Sequence, residues 1–311
     1  MSSSKPSGSE PLAFTGERFT PETPGEIWYE HWHRYSAVLP LARGKRVLDA
    51  ACGEGYGSGL LAAVAAELVG IDVSAAAIAH ATVRYGDKGR AHFVQASVTA
   101  LPIAAASIDL IVSFETIEHL REQEAMLAEF RRVLTPAGLL AISSPNKPVY
   151  SDQRQFQNEF HLRELTRDQL ATLLAPGFPR QRWYGQSLQF HSLIWPETLD
   201  QGLRALETLT VVDGQAGPAL QAPAPMYFLV VCAGDAACLP EGDRVSLFAD
   251  REQSIYREFE RVTRSERKLY QMYLEQEQAN KHLLGKLAKL AAERDALQVA
   301  LAHRAAAPGD G

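Results

Sequence analysis

The stretch VLDAACGEGYG, residues 47–57, decides the fold. An apolar run stops at an acid, a small turn follows, and glycines stand at every second position from Gly53 to Gly57. A strand that runs into glycines at the start of a helix turns backbone N–H groups and the positive end of the helix dipole toward a ligand. The dinucleotide fingerprint G-x-G-x-x-G fits neither register: Ser58 stands where the third glycine belongs after Gly53 and Gly55, and Leu60 after Gly55 and Gly57. No Walker lysine follows either.

Downstream, ELVGID ends on Asp72. A carboxylate at the end of the second strand is placed to accept both hydrogen bonds of a ribose diol. With Asp49 ending the first strand, the pair reads as a nucleoside site. Apolar runs at 45–50, 67–72, 91–96, 108–114 and 138–144 predict strands, with helices at 57–66, 74–85 and 121–134. Strands and helices alternating at this spacing imply a parallel sheet covered on both faces. A helix at 164–174, a strand at 181–190 and a last, antiparallel strand at 226–232 complete the expected domain of residues 26–245. Residues 192–224, rich in proline and glycine, read as an insertion capping one end of the sheet. Ahead of the first strand, IWYEHWHRYSAVL predicts an aromatic helix behind a disordered leader at 1–25.

From residue 248 the chain turns polar and leucine-rich. Steps of four and three residues from Ile255 reach Phe259, Val262, Leu269, Tyr273, Leu283, Leu287, Leu290, Leu297 and Leu301, interrupted by Glu266, Gln276, Asn280 and Arg294. That repeat predicts a coiled coil over 248–304, and hence a homo-oligomer, with a disordered tail at 305–311.

The chain has 311 residues and a formal charge of -6, without the basic concentration that nucleic-acid binding requires. Three cysteines in no paired spacing indicate neither a disulfide framework nor a zinc site, which fits a reducing cytoplasm. No signal peptide and no transmembrane segment are expected.

Taken in order, DAACGEGYG, GIDVS, LPI, SFETIEHL and RVLTPAGLLAISSPN resemble the motif series of class I S-adenosylmethionine (SAM)-dependent methyltransferases. The resemblance implies a Rossmann-like α/β sheet, mostly parallel with an antiparallel last strand, and SAM as cofactor. It places Asp49, Ala51, Gly53, Gly55, Asp72, Val73, Ser97, Val98 and Phe114 around SAM. Ala51 stands where the family often has a glycine, and Ser97 where it often has an acid for the adenine amino group. Arg34 carries a charge suited to the SAM carboxylate.

Methyl transfer to an alcohol needs an aligned acceptor and a base for its proton. A base is expected just beyond the fourth strand, where SFETIEHL supplies Glu115, Glu118 and His119. Histidine suits neutral pH, and the resemblance extends the catalytic role to His119, with Glu118 beside it. The polar loop after the fifth strand offers Asn146, Tyr150, Asp152 and His161 to a substrate; no metal site is assigned. FTGERFTPE, EHWHRY, SSPNKPVYSD and FHLREL further resemble bacterial methyltransferases of surface-polysaccharide (O-antigen type) assembly. That implies a glycan or nucleotide-sugar substrate, a polysaccharide-assembly partner, and a cytoplasmic site of action at or near the inner face of the membrane. Methylation of a terminal phosphate or an amino-sugar nitrogen, and a SAM-binding scaffold, stand as alternatives.

Overall fold

The computed structural model describes residues 25–86, 90–189, 210–212, 215–217, 224–234, 239, 245–250 and 253–306. It divides into two compact units, Met1–Ala249 and Asp250–Gly311. In the first unit, helix α1 (Glu26–Ala42) leads into β1 (Arg46–Ala50), α2 (Tyr56–Ala62), β2 (Glu67–Asp72), α3 (Ala75–Tyr85), β3 (Ala91–Gln95) and β4 (Ile108–Ser113). Then come a 3₁₀ turn (Ile117–His119), α4 (Gln123–Val133), β5 (Leu134–Pro145), a π-helical turn (Pro148–Asp152), α5 (Arg167–Leu174) and β6 (Arg180–Gln186). A two-stranded hairpin, β7 (Thr210–Val212) with β8 (Gln215–Gly217), falls within the expected insertion, the rest of which lies almost wholly outside the described residues. β9 (Tyr227–Ala233) closes the unit. The expected leader also lies outside the described residues, save Gly25.

The large sheet has the order β3-β2-β1-β4-β5-β9-β6. The first five strands pair in parallel, and β9 runs against both β5 and β6. The last strand in sequence is therefore an interior strand, and the edge belongs to β6. The side chains account for this: β9 reads YFLVVCA and is buried along nearly its whole length, whereas β6 reads RQRWYGQ and has no fully buried residue. A strand that alternates polar and apolar residues tolerates one open side; an apolar one needs cover on both.

Local chemistry fixes several boundaries. Ser74 caps α3 by accepting the Ala77 N–H, and Thr166 and Gln169 form a reciprocal capping box on α5. α2 stops at Ala62, short of its expected end, because the following turn is tied to the start of β1: Gly44 donates to the Val64 carbonyl and Ala66 to the Lys45 carbonyl. Two buried clusters sandwich the sheet, one built around Leu48, Ile111, Ile117, Met126 and Phe130, the other around Tyr35, Tyr56, Leu61, Leu68 and Val112. Strand order reverses between β1 and β4, so the crevice at their carboxyl ends is the expected ligand site of such a sheet.

The second unit is a single helix, α6 (Ser254–Ala306), of 53 residues, about 80 Å long at 1.5 Å per residue. Arg261–Glu258 and Arg264–Glu260 ion pairs bridge successive turns. No helix among the described residues is long and apolar enough to cross a membrane.

Candidate active site

The glycine turn fills the β1 end of the crevice. Ala51, Gly53 and Gly55 all adopt left-handed backbone, with φ of 62°, 53° and 84°. Ala51 thus holds a conformation that explains why glycine is common there, and as an L-residue it bears the steric cost itself. The third glycine has a different reason: a Cβ at Gly57 would lie 2.1 Å from the Tyr35 ring. That close approach comes from α1, not from a ligand. It delivers the Tyr35 hydroxyl to Asp49 Oδ1 at 3.0 Å, while Ser58 Oγ donates to Oδ2 at 2.6 Å. Asp49 is fully buried; burial pushes its pKa up to about 6 against the pull of these two hydrogen bonds.

Asp72 ends β2 with its carboxylate facing the turn. Oδ2 accepts the Gly53 N–H at 3.0 Å and Oδ1 the Ser74 N–H at 2.8 Å. Each carboxylate oxygen accepts more than one hydrogen bond, so the group that braces the turn retains capacity for a vicinal diol. A side-chain-free left-handed backbone beside such a carboxylate fits the ribose and amino-acid portions of SAM. Val73, next in sequence, is 67% exposed, while Val98 is buried and Phe114 packs edge-on against Tyr35 at 5.0 Å. Ser97 Oγ is engaged within its own turn, 2.7 Å from Thr99 Oγ1 and accepting the Thr99 N–H.

Arg34 has partners within the fold. Its side chain is buried and ion-paired to Glu115, donates to Ser143 Oγ at 3.2 Å, and lies over the Tyr227 ring at 4.7 Å. A buried guanidinium requires a matching charge, and Glu115, held at φ 48°, supplies it. Arg34 is therefore the internal counter-ion of the β4 end, a placement that gives it a partner other than the SAM carboxylate. Glu30, one turn earlier on α1, is pushed up to about 7 by burial, with Arg34 opposing. The α1 aromatics pack among themselves: Trp28 stacks on Trp32 at 5.3 Å, and Trp32 meets Tyr56 at 6.0 Å.

On the other side of the crevice, the 3₁₀ turn is tied to the loop that follows β5. The Glu118 carbonyl accepts the N–H groups of Leu162 and Arg163 at 2.8 and 3.0 Å. His119 Nδ1 lies 3.0 Å from the Phe160 carbonyl. A carbonyl only accepts, so Nδ1 carries the proton and Nε2 the lone pair. His161 meets the His119 ring edge to face at 5.0 Å and Tyr150 stacks on its other side at 5.3 Å. Its Nδ1 is 2.6 Å from Glu164 Oε1, and Ser151 Oγ donates to Glu164 Oε2 at 2.5 Å. Lys147, Ser151, Asp152, Asn158, His161 and Glu164 line a cavity of about 440 Å³.

The site residues foreseen on this loop part company here. His161 and Asp152 line the cavity, Asp152 paired with Lys147 at 2.5 Å, and Tyr150 flanks it. Asn146 does neither: its amide donates to the Pro225 carbonyl at 2.8 Å and fastens the end of β5 to the start of β9. Glu118 is fully buried, and burial, reinforced by the charge of Glu115, holds its carboxyl well above the usual range. Glu164 and Asn158 were missed from sequence; the spacing His161-x-x-Glu164 in FHLREL was the available signal.

A mostly parallel sheet of this order, with a glycine turn and an acid at its switch point, has the arrangement of the class I methyltransferase fold. Residues 48–142 match the methyltransferase domain family, and the curated relatives that the chain matches are named S-adenosylmethionine-dependent methyltransferases. The chain is 40% identical over 166 residues to a Mycobacterium tuberculosis protein named "Probable S-adenosylmethionine-dependent methyltransferase". The match spans 52% of this chain and 60% of that protein. A Mycolicibacterium smegmatis protein of the same description is 38% identical over 166 residues, 52% of this chain and 63% of its own length. Among solved structures, a SAM-dependent methyltransferase from Thermotoga maritima overlays with a TM-score of 0.49 at 16% identity, covering 67% of this chain and 90% of that one.

Proposed function

We propose that the chain is an active O-methyltransferase whose acceptor is a hydroxyl of a polar, sugar-like molecule. The observation that carries this reading is the cavity between the π-helical turn and the loop to Glu164, lined largely by hydrogen-bonding residues, one of which, His161, packs against His119. Hydrogen-bonding groups of several kinds, with a lysine and two carboxylates, suit a polyhydroxylated acceptor better than a flat apolar one. Bound SAM supplies an electrophilic methyl group; the chain's own residues orient the acceptor and remove its proton. Asp72 and the turn at Gly53 and Gly55 hold the nucleoside end. His119 Nε2, with its lone pair fixed by the Phe160 carbonyl, accepts the hydroxyl proton as the new C–O bond forms. The resemblance noted above extends the acceptor to a bacterial surface glycan or its nucleotide-sugar or lipid-linked precursor, handled in the cytoplasm or at the inner membrane face, in company with a polysaccharide-assembly partner.

The test is incubation of the full chain with labelled SAM and a panel of nucleotide sugars, glycan fragments and lipid-linked glycans. Label on a sugar oxygen supports the reading. Label only on phosphate or amine acceptors replaces it with those chemistries, and SAM binding without transfer to any acceptor favours the scaffold.

The repeat on α6 supports a second element of this reading, self-association through a coiled coil. Taken by itself, the helix leaves Leu283, Leu287, Leu290, Leu297 and Leu301 exposed, a stripe longer than a lone helix keeps in water. A second copy carries the same stripe, and homo-oligomers are the common case. Light scattering of the full chain at micromolar concentration is expected to give a mass above that of one chain; a monomer overturns the proposal.

A further inference from the structure

Three potential metal-ligating side chains converge at the acceptor end of the crevice. Glu118, His119 and His161 each offer one ligand atom, and these atoms all lie within 4.8 Å of one another. Two come from the 3₁₀ turn after β4 and one from the loop after the π-helical turn, so the hydrogen bonds between Glu118 and residues 162–163 are what bring them together.

The surroundings of each residue point the same way. Metal-binding imidazoles characteristically give their second nitrogen's proton to a carbonyl or a carboxylate, which fixes the tautomer and aims the lone pair. His119 has such a partner in the Phe160 carbonyl, and His161 has one in Glu164, itself held by Ser151. In both rings a proton on Nδ1 puts the lone pair on Nε2. Glu118 supplies the independent observation: its carboxylate is fully buried, and neither oxygen has a hydrogen-bond partner among the described residues. Buried polar groups in folded proteins are nearly always satisfied, so a carboxylate left bare beside two oriented imidazoles calls for a partner. A cation meets that need.

We propose that Glu118, His119 and His161 bind one first-row divalent cation, with zinc the natural first probe. Two imidazoles and a carboxylate suit this class of metal, and three protein ligands leave a coordination position for water or the acceptor. The hydrogen bond between Asn158 Nδ2 and His161 Nε2, at 3.0 Å, is the one the cation must displace. A cation at this point takes over the task assigned to His119: it acidifies the acceptor hydroxyl, whose proton then leaves to water.

The site rests on the acceptor's placement beside His119 only for its role, not for its existence. Cation binding is therefore measured without substrate, and its failure leaves methyl transfer assisted by the imidazole untouched. Tag-free full-length protein, stripped with chelator, is titrated with Zn²⁺ by calorimetry and with Co²⁺ by visible absorption. One cation per chain is expected, with Glu118→Gln and His161→Gln each weakening binding at least tenfold while SAM affinity holds. X-ray absorption of the zinc-loaded wild type is expected to show two imidazole ligands, a readout that needs no variant to fold. No saturable binding at one equivalent, or a zinc shell lacking two imidazoles, overturns the proposal. So does affinity unchanged in both variants.

Discussion

The two sides of the crevice are built on different terms. On the cofactor side both acids are braced by the fold: Asp49 accepts from Tyr35 and Ser58, and Asp72 accepts from Gly53 and Ser74. On the acceptor side a carboxylate with no hydrogen-bond partner among the described residues, Glu118, lies near two imidazoles, one of which lines a cavity rich in hydrogen-bonding residues. The contrast separates a surface finished by folding from one whose polar groups are completed by what binds. Folding stability should therefore be more sensitive to the first, and turnover to the second.

The largest expected effect lies on the acceptor side. His119→Ala should lower turnover by about 10²–10⁴-fold while SAM affinity stays near that of wild type. Steady-state rates with calorimetry alongside decide it, and full turnover in that variant would end the contrast as drawn. The converse belongs to Asp72→Ala, which removes both acceptors for the ribose diol together with the brace on Gly53. Hydrogen bonds to a charged group are worth about 1.5–3 kcal/mol each, so SAM affinity should fall at least tenfold. Unchanged affinity by calorimetry would remove Asp72 from the cofactor site.

A pH experiment sharpens the comparison through α1. Glu30 is raised from 4.5 to about 7 in the folded chain, so the fold holds that proton more tightly than the unfolded chain does. The stabilisation this represents is complete below pH 4.5 and is lost as pH climbs through about 7. Asp49, raised to about 6 from 3.8, acts with the same sign over a lower window. Glu30→Gln removes one of the two titrations, and between about pH 5 and pH 8 its stability should decline by about 2 kcal/mol less than that of wild type. Urea denaturation at both pH values measures the difference. The smallest effect is Ala51→Gly: relieving a left-handed alanine, less the entropy glycine loses on folding, should raise stability by about 0.5–1 kcal/mol. A loss of stability on thermal melting would show that the Ala51 methyl matters more in packing than it costs in strain.

The parts of this molecule legible in sequence are those whose signal is local. β1, β2 and β4 are largely apolar runs, and helix α6 declares itself by its repeat. The glycine turn and Asp72 stand at the ends of strands already recognisable. What escaped reading depends on partners far apart in the chain. Nothing near Arg34 foretells that Glu115 will meet it, and nothing near Gly57 says that Tyr35 needs the space. Asn146 looks like a loop residue for a substrate until Pro225 is seen beside it. β9 was expected as a strand, but its interior place becomes evident only when its apolar faces are set against the polar β6. Glu164 lies close to His161 in sequence, yet its importance depends on an orientation that spacing alone does not give.

The placement of α1 has a consequence for how such a domain is divided. The family match begins at residue 48, past the end of α1 at Ala42. Yet α1 supplies the cation that neutralises Glu115 and the hydroxyl that braces Asp49. A piece cut to the recognisable motif would leave an uncompensated carboxylate at the tip of β4 and a hollow over Gly57 where an aromatic ring belongs. Transplanting this domain into another protein, or exchanging it with a relative's, must carry α1 and the ends of β1, β4 and β5 together as a single inherited unit.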